Sequence, residues 1–531
     1  MPAAGREAVG KLKDFGAIFI ILLFTGSFRW FSPDYPRAGL LSLVPVPELL
    51  LVMILFIASR RRPLGWLSRL GVPILGWLLL WNAGESFYRY FYRERFSPVH
   101  DLRYLSGLVS MLSGSDFWMS FAGTVLLSVV LFLVVLVLGR LLSGWLHRVL
   151  KALDEGWIPL LLIGAALQLV LIPGEVPSVI LAETADTEAV PVLSSAESTI
   201  PEVSIPKEAV FIDADVHIFI IESYGHTLFS NPSYREVRTS LYPILDRELE
   251  AEGWQMRSGF MRSPAFGGRS WLADATILTG IQIDKQELYD SLPASGGRNL
   301  THFFEEAGYF RLLAAPGTSQ AGEEWRNFYR FDRYLFRHDF DYQGPFVSFG
   351  AMPDQFLLYR SGELLKELEQ PVFAVYTLVS SHVPFEVIPE YVPDWELLGD
   401  GSVFSRGYLR RFDNNWLSGS EYPEGFIAGI SYSLQSIRGY LNRYVEDGAL
   451  AIIIGDHQPR IPISERDSTY SVPVHFLSRR PGILDNLPYA WLSRSFVPKE
   501  INGEHPDMAE LAFLLRDLAG GPEAGNGARV F

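Results

Sequence analysis

The apolar run Ala451 to Ile454 passes directly into Gly455, Asp456 and His457. Four such residues in a row read as a strand buried on both faces. A carboxylate and an imidazole then stand side by side at its C-terminal end, where open α/β sheets place their ligands. Both side chains bind divalent metals, one through a hard oxygen and the other through a borderline nitrogen. An Asp-His pair after a strand is also an ordinary turn in which the Asp caps the next element. The pair therefore gains its meaning from partners elsewhere in the chain.

Two upstream segments supply them. In VHIFIIESYGH, residues 216 to 226, a second apolar strand ends in Glu222 and Ser223. In SPAFGGRSWLADATILTG, residues 263 to 280, a Pro/Gly-rich loop opens into a helical run from Trp271 to Leu278 that Gly280 closes. Ser270 stands at or just before the start of that helix, where backbone N–H groups and the helix dipole favour an anion. A serine hydroxyl becomes a useful nucleophile once a base or a metal lowers its pKa. Glu222, Asp456 and His457 are candidates to hold such a metal, with Ser270 as the fourth, reactive ligand. The competing reading makes Ser270 a simple N-cap. Thr276 and Thr279, the rival hydroxyls, lie inside the helix, away from its open N–H groups.

Strand-Glu-Ser, the GGRS loop, a later SSHVPF (residues 380 to 385) and the final GDH follow one another in an order that resembles the alkaline phosphatase/sulfatase superfamily. The likeness spans about residues 210 to 480 and is strongest to the membrane-anchored branch of lipoteichoic acid synthases, phosphoglycerol transferases and phosphoethanolamine transferases. It implies a three-layer, alkaline-phosphatase-like α/β domain holding one divalent ion, Mn²⁺ by analogy, with Zn²⁺, Mg²⁺ or Ca²⁺ as alternatives. Glu222, Ser270, Asp456 and His457 match its metal ligands, and Ser270 occupies the nucleophile position, usually Thr in that family. Ser270 is followed by Trp-Leu-Ala, not the context for conversion to formylglycine, which argues against a typical sulfatase. His382 matches a histidine that faces the transferred group or the leaving oxygen, as general acid or hydrogen-bond donor. Trp325 and Arg326 resemble a Trp-Asn-Arg segment that contacts the head group, although the order here is Trp-Arg-Asn, so Arg330 or Arg333 can take the part. His338, with Asp339 and Asp341, is a rival metal cluster on paper, but no apolar strand precedes it and a solvated acidic turn is expected. His226 is close enough to Glu222 in sequence to support it from behind.

The front of the chain is different in kind. Apolar runs near residues 13–31, 39–59, 71–88, 116–139 and 156–173 each approach the ~20 residues of a membrane-spanning helix. They explain why 48% of the chain is hydrophobic and why its mean hydropathy is +0.15. Basic clusters at the N-terminus, at Arg60 to Arg69 and at Arg140 to Lys151 alternate across five spans, which puts everything after the fifth outside the cell membrane. The loop carrying Arg89, Arg93, Arg95 and Arg103 runs against that rule. The expected organisation is a helical membrane domain at 1–173, a Pro/Ser/Thr/Glu-rich linker at 174–208, a catalytic domain at 209–497 and a C-terminal tail at 498–531. Strands are expected at 217–222, 310–314, 372–379, 450–455 and 472–477, and helices at 271–279, 299–307, 354–368 and 425–446.

Residues 1–173 hold 16 Lys and Arg against 10 Asp and Glu, a net of +6; the remainder holds 29 against 50, a net of −21. So acidic a domain excludes nucleic acid as a partner. An anionic substrate must then be held by the metal and a few local cations. The chain has no cysteine, so disulfides play no part in its stability. The function expected is transfer of a phospholipid head group, through a covalent Ser270 intermediate, to a glycan or lipid acceptor at the outer membrane face. The alternatives are a phosphodiesterase or sulfatase-like hydrolase with water as acceptor, and a non-catalytic membrane-anchored binding protein.

Overall fold

In the computed structural model, the residues described are 214–520, with interruptions at 319–320, 348–351, 384, 413–421, 461–462, 466–467 and 488–489, together with a few helical positions between 130 and 140. The chain divides into two compact units, Met1–Val190 and Pro191–Phe531. The five expected spans and the linker lie outside the described residues, apart from those isolated positions in the fourth span. Among the described residues no helix is long and apolar enough to cross a membrane.

Among the described residues the second unit has nine strands: β1 (Val216–Ile221), β2 (Gln255–Arg262), β3 (Phe310–Ala315), β4 (Arg333–Phe336), β5 (Val372–Leu378), β6 (Val387–Pro389), β7 (Leu409–Arg411), β8 (Leu450–Gly455) and β9 (Ser471–Ser478). Seven form one sheet in the order β2-β9-β8-β1-β5-β3-β4, and β6 pairs with β7 in a separate ribbon. From β8 to β4 the neighbours are parallel, while β9 runs antiparallel to both β8 and β2. Parallel strands need crossover helices that cover both faces, so the central strands are largely apolar. Every residue of β1 and of β8 is buried.

The longer helices are α1 (Tyr242–Ala251), α2 (Ser270–Thr279), α3 (Gln286–Ser291), α4 (Leu300–Glu306), α5 (Glu323–Tyr329), α6 (Asp354–Leu365), α7 (Tyr422–Tyr444) and α8 (Glu510–Gly520). One core contains Phe219 and Ile221 of β1 with α1, α6 and α7. The other contains Val216, Ile218 and Ile220 with α2, α4, α5 and α8. Alternate residues of one strand thus feed two cores, and the domain is a sheet between two helical layers. This matches the three-layer α/β expectation. Within the expected C-terminal tail, α8 buries Leu511 and Leu515 against the sheet.

Register decides where the chemistry falls. Ile221 stands level with Leu378 on one side and Gly455 on the other, so β5, β1 and β8 end flush. Residues 379, 222 and 456 are then the first beyond the sheet. Gly455 is required there, because a Cβ would lie 1.8 Å from the Tyr224 carbonyl oxygen. The loop after β2 opens at the same end, since β2 is reached from β8 by two antiparallel steps.

Behind this end lies a buried polar chain. The Tyr242 hydroxyl donates to Tyr224 (2.8 Å), which donates to His475 Nε2 (2.8 Å), while His475 Nδ1 reaches Ser258 Oγ (2.9 Å). Burial of the imidazole, stacked on Phe496, pushes its pKa from 6.5 down to about 3. A depressed histidine contributes stability that is fully present above pH 6.5 and is lost as pH falls toward 3. The difference amounts to at most about 5 kcal/mol. Denaturant titrations from pH 7 to 3.5 should show this loss in the wild type and a shallower loss in His475→Gln.

Candidate active site

Glu222 and Asp456 extend the strand ladders by one residue: Glu222 N–H donates to Leu378 O (3.0 Å) and Asp456 N–H to Ile221 O (3.2 Å). Ser223 then takes a left-handed conformation (φ 59°), which turns its N–H onto Asp456 Oδ1 (2.7 Å). Its hydroxyl donates to Glu222 Oε1 (2.8 Å). One strained serine therefore orients both carboxylates.

His457 is fixed in tautomer as well as position. Its Nδ1 lies 2.8 Å from the Gln458 carbonyl oxygen, which can only accept, so the proton resides on Nδ1. Nε2 then presents its lone pair to Glu222 Oε1 (3.5 Å) and Asp456 Oδ2 (3.4 Å). Burial lowers the imidazole's pKa and keeps it neutral, the state a metal ligand needs.

Ser270 arrives from the other helical layer. Arg269, in a left-handed conformation, occupies the N-cap position and Ser270 is the first residue of α2. Its hydroxyl is not spent on capping: Oγ donates to Glu222 Oε2 (3.0 Å) and lies 3.3 Å from His457 Nε2. The loop that delivers it is tied to the β8 loop by Gly267 N–H donating to Gln458 O (2.9 Å). Glu222, Ser270, Asp456 and His457, spread over more than two hundred residues, thus meet at one point.

Glu222, Asp456 and His457 are all buried, and their ligand atoms lie within 4.8 Å of one another. Burial and the Glu222 carboxylate push Asp456 well above the usual carboxylate range. Burial would raise Glu222 too, but His382 and the Ser223 hydroxyl hold it below its ordinary value. Two carboxylates forced together in a dry site are relieved by a divalent cation, and this oxygen-rich set with one bare imidazole nitrogen fits one. Among the described residues it is the sole His/Cys/Asp/Glu group with such geometry.

His382 follows β5 and lies near enough to Glu222 for its charge to act on it. Its Nδ1 donates to the Val383 carbonyl. Trp325 and Arg326 are on α5, in the same helical layer as α2, and neither hydrogen-bonds to the four residues above. Trp325 stacks on Tyr289 (4.3 Å between centroids) and on Tyr329 (5.6 Å). The Arg326 guanidinium lies over Tyr334 at 4.7 Å and Phe336 at 5.5 Å. Asp339 Oδ2 accepts the Phe336 N–H (2.9 Å) in a short turn, so the residues around His338 form a cap and no metal cluster. His226 pairs with Glu500 (2.7 Å) and makes no hydrogen bond to Glu222.

Three neighbours escaped the sequence reading. Ser381 Oγ donates to the Glu222 backbone carbonyl (2.6 Å), and Ser263 Oγ to that of Asp456 (2.5 Å). Asp274, one turn along α2 from Ser270, is pushed up to about 7 by burial and by Glu222. Only the helical i, i+4 spacing from Ser270 pointed to Asp274; the serines carried no signal.

No protein-family model matches the chain, and no curated protein does. Solved structures do match. The lipoteichoic acid synthase LtaP from Listeria monocytogenes is 14% identical, with 60% of this chain and 76% of that one covered and a TM-score of 0.38. The Streptococcus pyogenes phosphoglycerol transferase GacH, in complex with sn-glycerol-1-phosphate, is 15% identical over 51% and 70%, with a TM-score of 0.34. The integral membrane phosphoethanolamine transferase EptA from Neisseria meningitidis is 13% identical over 87% and 88%, with a TM-score of 0.42. These are members of the branch that the motifs resemble.

Metal-stripped protein titrated with Mn²⁺ or Zn²⁺ should rise in Tm, by the equivalent of about 2.7 kcal/mol at a hundredfold excess over Kd. Glu222→Gln should remove most of the rise. A wild-type Tm that ignores both ions would show that the cluster is not a metal site.

Proposed function

We propose that the chain is a membrane-anchored, metal-dependent transferase of phospholipid head groups, phosphoglycerol or phosphoethanolamine, working at the outer face of the cell membrane. The single observation that carries this reading is the Ser270 hydroxyl, set at the start of a helix and hydrogen-bonded to Glu222 beside His457 and Asp456. Residues 209–497 would form the catalytic domain, carried by a helical membrane domain at 1–173 and a linker at 174–208.

Ser270 Oγ attacks the phosphorus of the donor phosphodiester. An Oγ–P bond forms and the bond from phosphorus to the diacylglycerol oxygen breaks. As the Oγ–P bond forms, the Ser270 O–H proton passes to Glu222 Oε2, its hydrogen-bond acceptor, with His457 Nε2 alongside; in the second half-reaction the acceptor oxygen bonds to phosphorus, the Oγ–P bond breaks and Oγ takes that proton back. The N-terminal N–H groups of α2 stabilise charge that develops on the phosphoryl oxygens. His382, beside Glu222, supplies the proton that the departing diacylglycerol oxygen needs and recovers one from the acceptor hydroxyl in the second half-reaction. Glu222, Asp456, His457 and Ser270 would hold one divalent cation, Mn²⁺ by resemblance, which would lower the pKa of the serine hydroxyl and neutralise phosphoryl charge. Trp325 and Arg326, in the same helical layer as α2, are proposed to meet the rest of the head group.

Labelled phosphatidylglycerol and phosphatidylethanolamine tested with wild type and Ser270→Ala would decide the matter. The expected outcome is diacylglycerol release that falls at least about a thousandfold in the variant. A head-group adduct should appear by mass spectrometry on the peptide containing Ser270 of the wild type alone. Equal release from the two proteins would end the covalent reading, and release without any glycan or lipid acceptor would make water the acceptor.

A further inference from the structure

Asp354 is the first residue of α6 and is fully buried. Its Oδ1 accepts the N–H groups of Val379 (2.9 Å) and Ser380 (3.0 Å), and its own N–H donates to Ser380 Oγ (3.0 Å). Its Oδ2 accepts the hydroxyl of Ser433 on α7 (2.6 Å). These partners are all neutral. Residues 379–382 are the turn that leaves β5, and that turn has two further attachments. Ser381 Oγ donates to the Glu222 carbonyl (2.6 Å). On α7, Gly429 is packed so closely that a Cβ there would lie 2.9 Å from Ser381 Cα.

A buried carboxylate satisfied only by neutral donors is an expensive way to hold a turn. Burial pushes Asp354 up to about 6, which records that expense. Groups that break local economy without adding stability mark positions kept for function. What this one controls is plain from the chain path: the turn it fixes ends in His382 and touches the backbone of Glu222.

We propose that Asp354 is a positioning residue, which by clamping the 379–382 turn between α6 and α7 sets the imidazole of His382 against the phosphoryl-transfer site. The inference rests on the transferase reading for the role of His382, but the clamp is defined by contacts alone. A carboxylate that binds two successive N–H groups fixes both peptide planes, so the turn cannot rotate as a unit. Removing it would leave His382 attached but free to swing, and misplacement by about 1 Å costs roughly a hundredfold in rate.

The test compares full-length wild type, Asp354→Ala, His382→Ala and the double variant. In Asp354→Ala, amide exchange should accelerate in peptides covering 379–383 and stay unchanged in β9. Diacylglycerol release should lose roughly ten- to a hundredfold in kcat, with KM and bound metal unaltered. In the His382→Ala background the second substitution should add nothing, because both act through one group. Asp354→Asn, which keeps the acceptor oxygen, should restore most of the rate. Unchanged exchange at 379–383 would overturn the proposal. So would acceleration across the whole sheet with a lower Tm, or a rate loss that multiplies with that of His382→Ala. A wild type that releases no diacylglycerol while Asp354→Ala loosens only this turn would remove the transferase reading and leave the clamp standing.

Discussion

Repulsion between Glu222 and Asp456 governs the site. Both carboxylates are buried, and each is the residue immediately beyond one of two adjacent strands that end on the same level. Neutral donors cannot cancel two negative charges at this separation in a medium of low dielectric. The domain's answer is visible in what else it brings there: a neutral His457 with its lone pair turned inward, and a serine hydroxyl at a helix start. Each of these offers a donor atom of the kind a divalent cation takes. Packing, register and backbone strain hold the four donors in place around one point.

Those means are local and cumulative. Ser223 accepts a positive φ so that one residue can donate to both carboxylates. Gly455 lets the Tyr224 carbonyl come within a distance that no side chain tolerates. Ser263 and Ser381 tie the backbones of Asp456 and Glu222, and Gly267 joins the Ser270 loop to the β8 loop. Their work is preorganisation, which matters more than any single hydrogen bond when charge must be met without rearrangement.

The central strands were legible because burial on both faces leaves largely apolar runs: β1, β5, β8 and β9 lie within a residue of their expected bounds. The charged residues after β1 and β8 were legible for the same reason, since an apolar run that stops at Glu222 or Asp456 announces a sheet edge. β2 was not expected. Its sequence QMRSGFMR looks polar, and only the tertiary partners of Arg257 and Ser258, Asp485 and His475, bury it as the edge strand beside β9. α1 was missed as well, since its mixed polar sequence buries only Tyr242, Leu245 and Leu249. Asp354 read as an ordinary helix start, and its meaning comes from Val379, Ser380 and Ser433, which are distant in sequence. The placement of Trp325 beside Tyr289 was equally invisible, because stacking between two helices leaves no period in the chain; Tyr329, one turn along α5 from Trp325, follows the i, i+4 spacing instead.

The charge of the chain adds a last constraint on the proposed activity. Beyond residue 173 the net charge is −21, so the domain repels anions approaching from solution. That field is screened within about 8 Å at physiological salt, whereas the proposed cation beside Ser270 would act at contact distance. A free anionic substrate would therefore meet an unfavourable approach and a favourable site. A donor lipid held in the same bilayer as the enzyme avoids the approach, because confinement raises its effective concentration without any attraction through solvent. The same field treats the two head groups differently: phosphoglycerol carries a full negative charge to the site, while phosphoethanolamine arrives with its ammonium compensating the phosphate. On charge alone the acidic surface tolerates the zwitterionic donor better, and the anionic one depends more heavily on the metal and on anchoring.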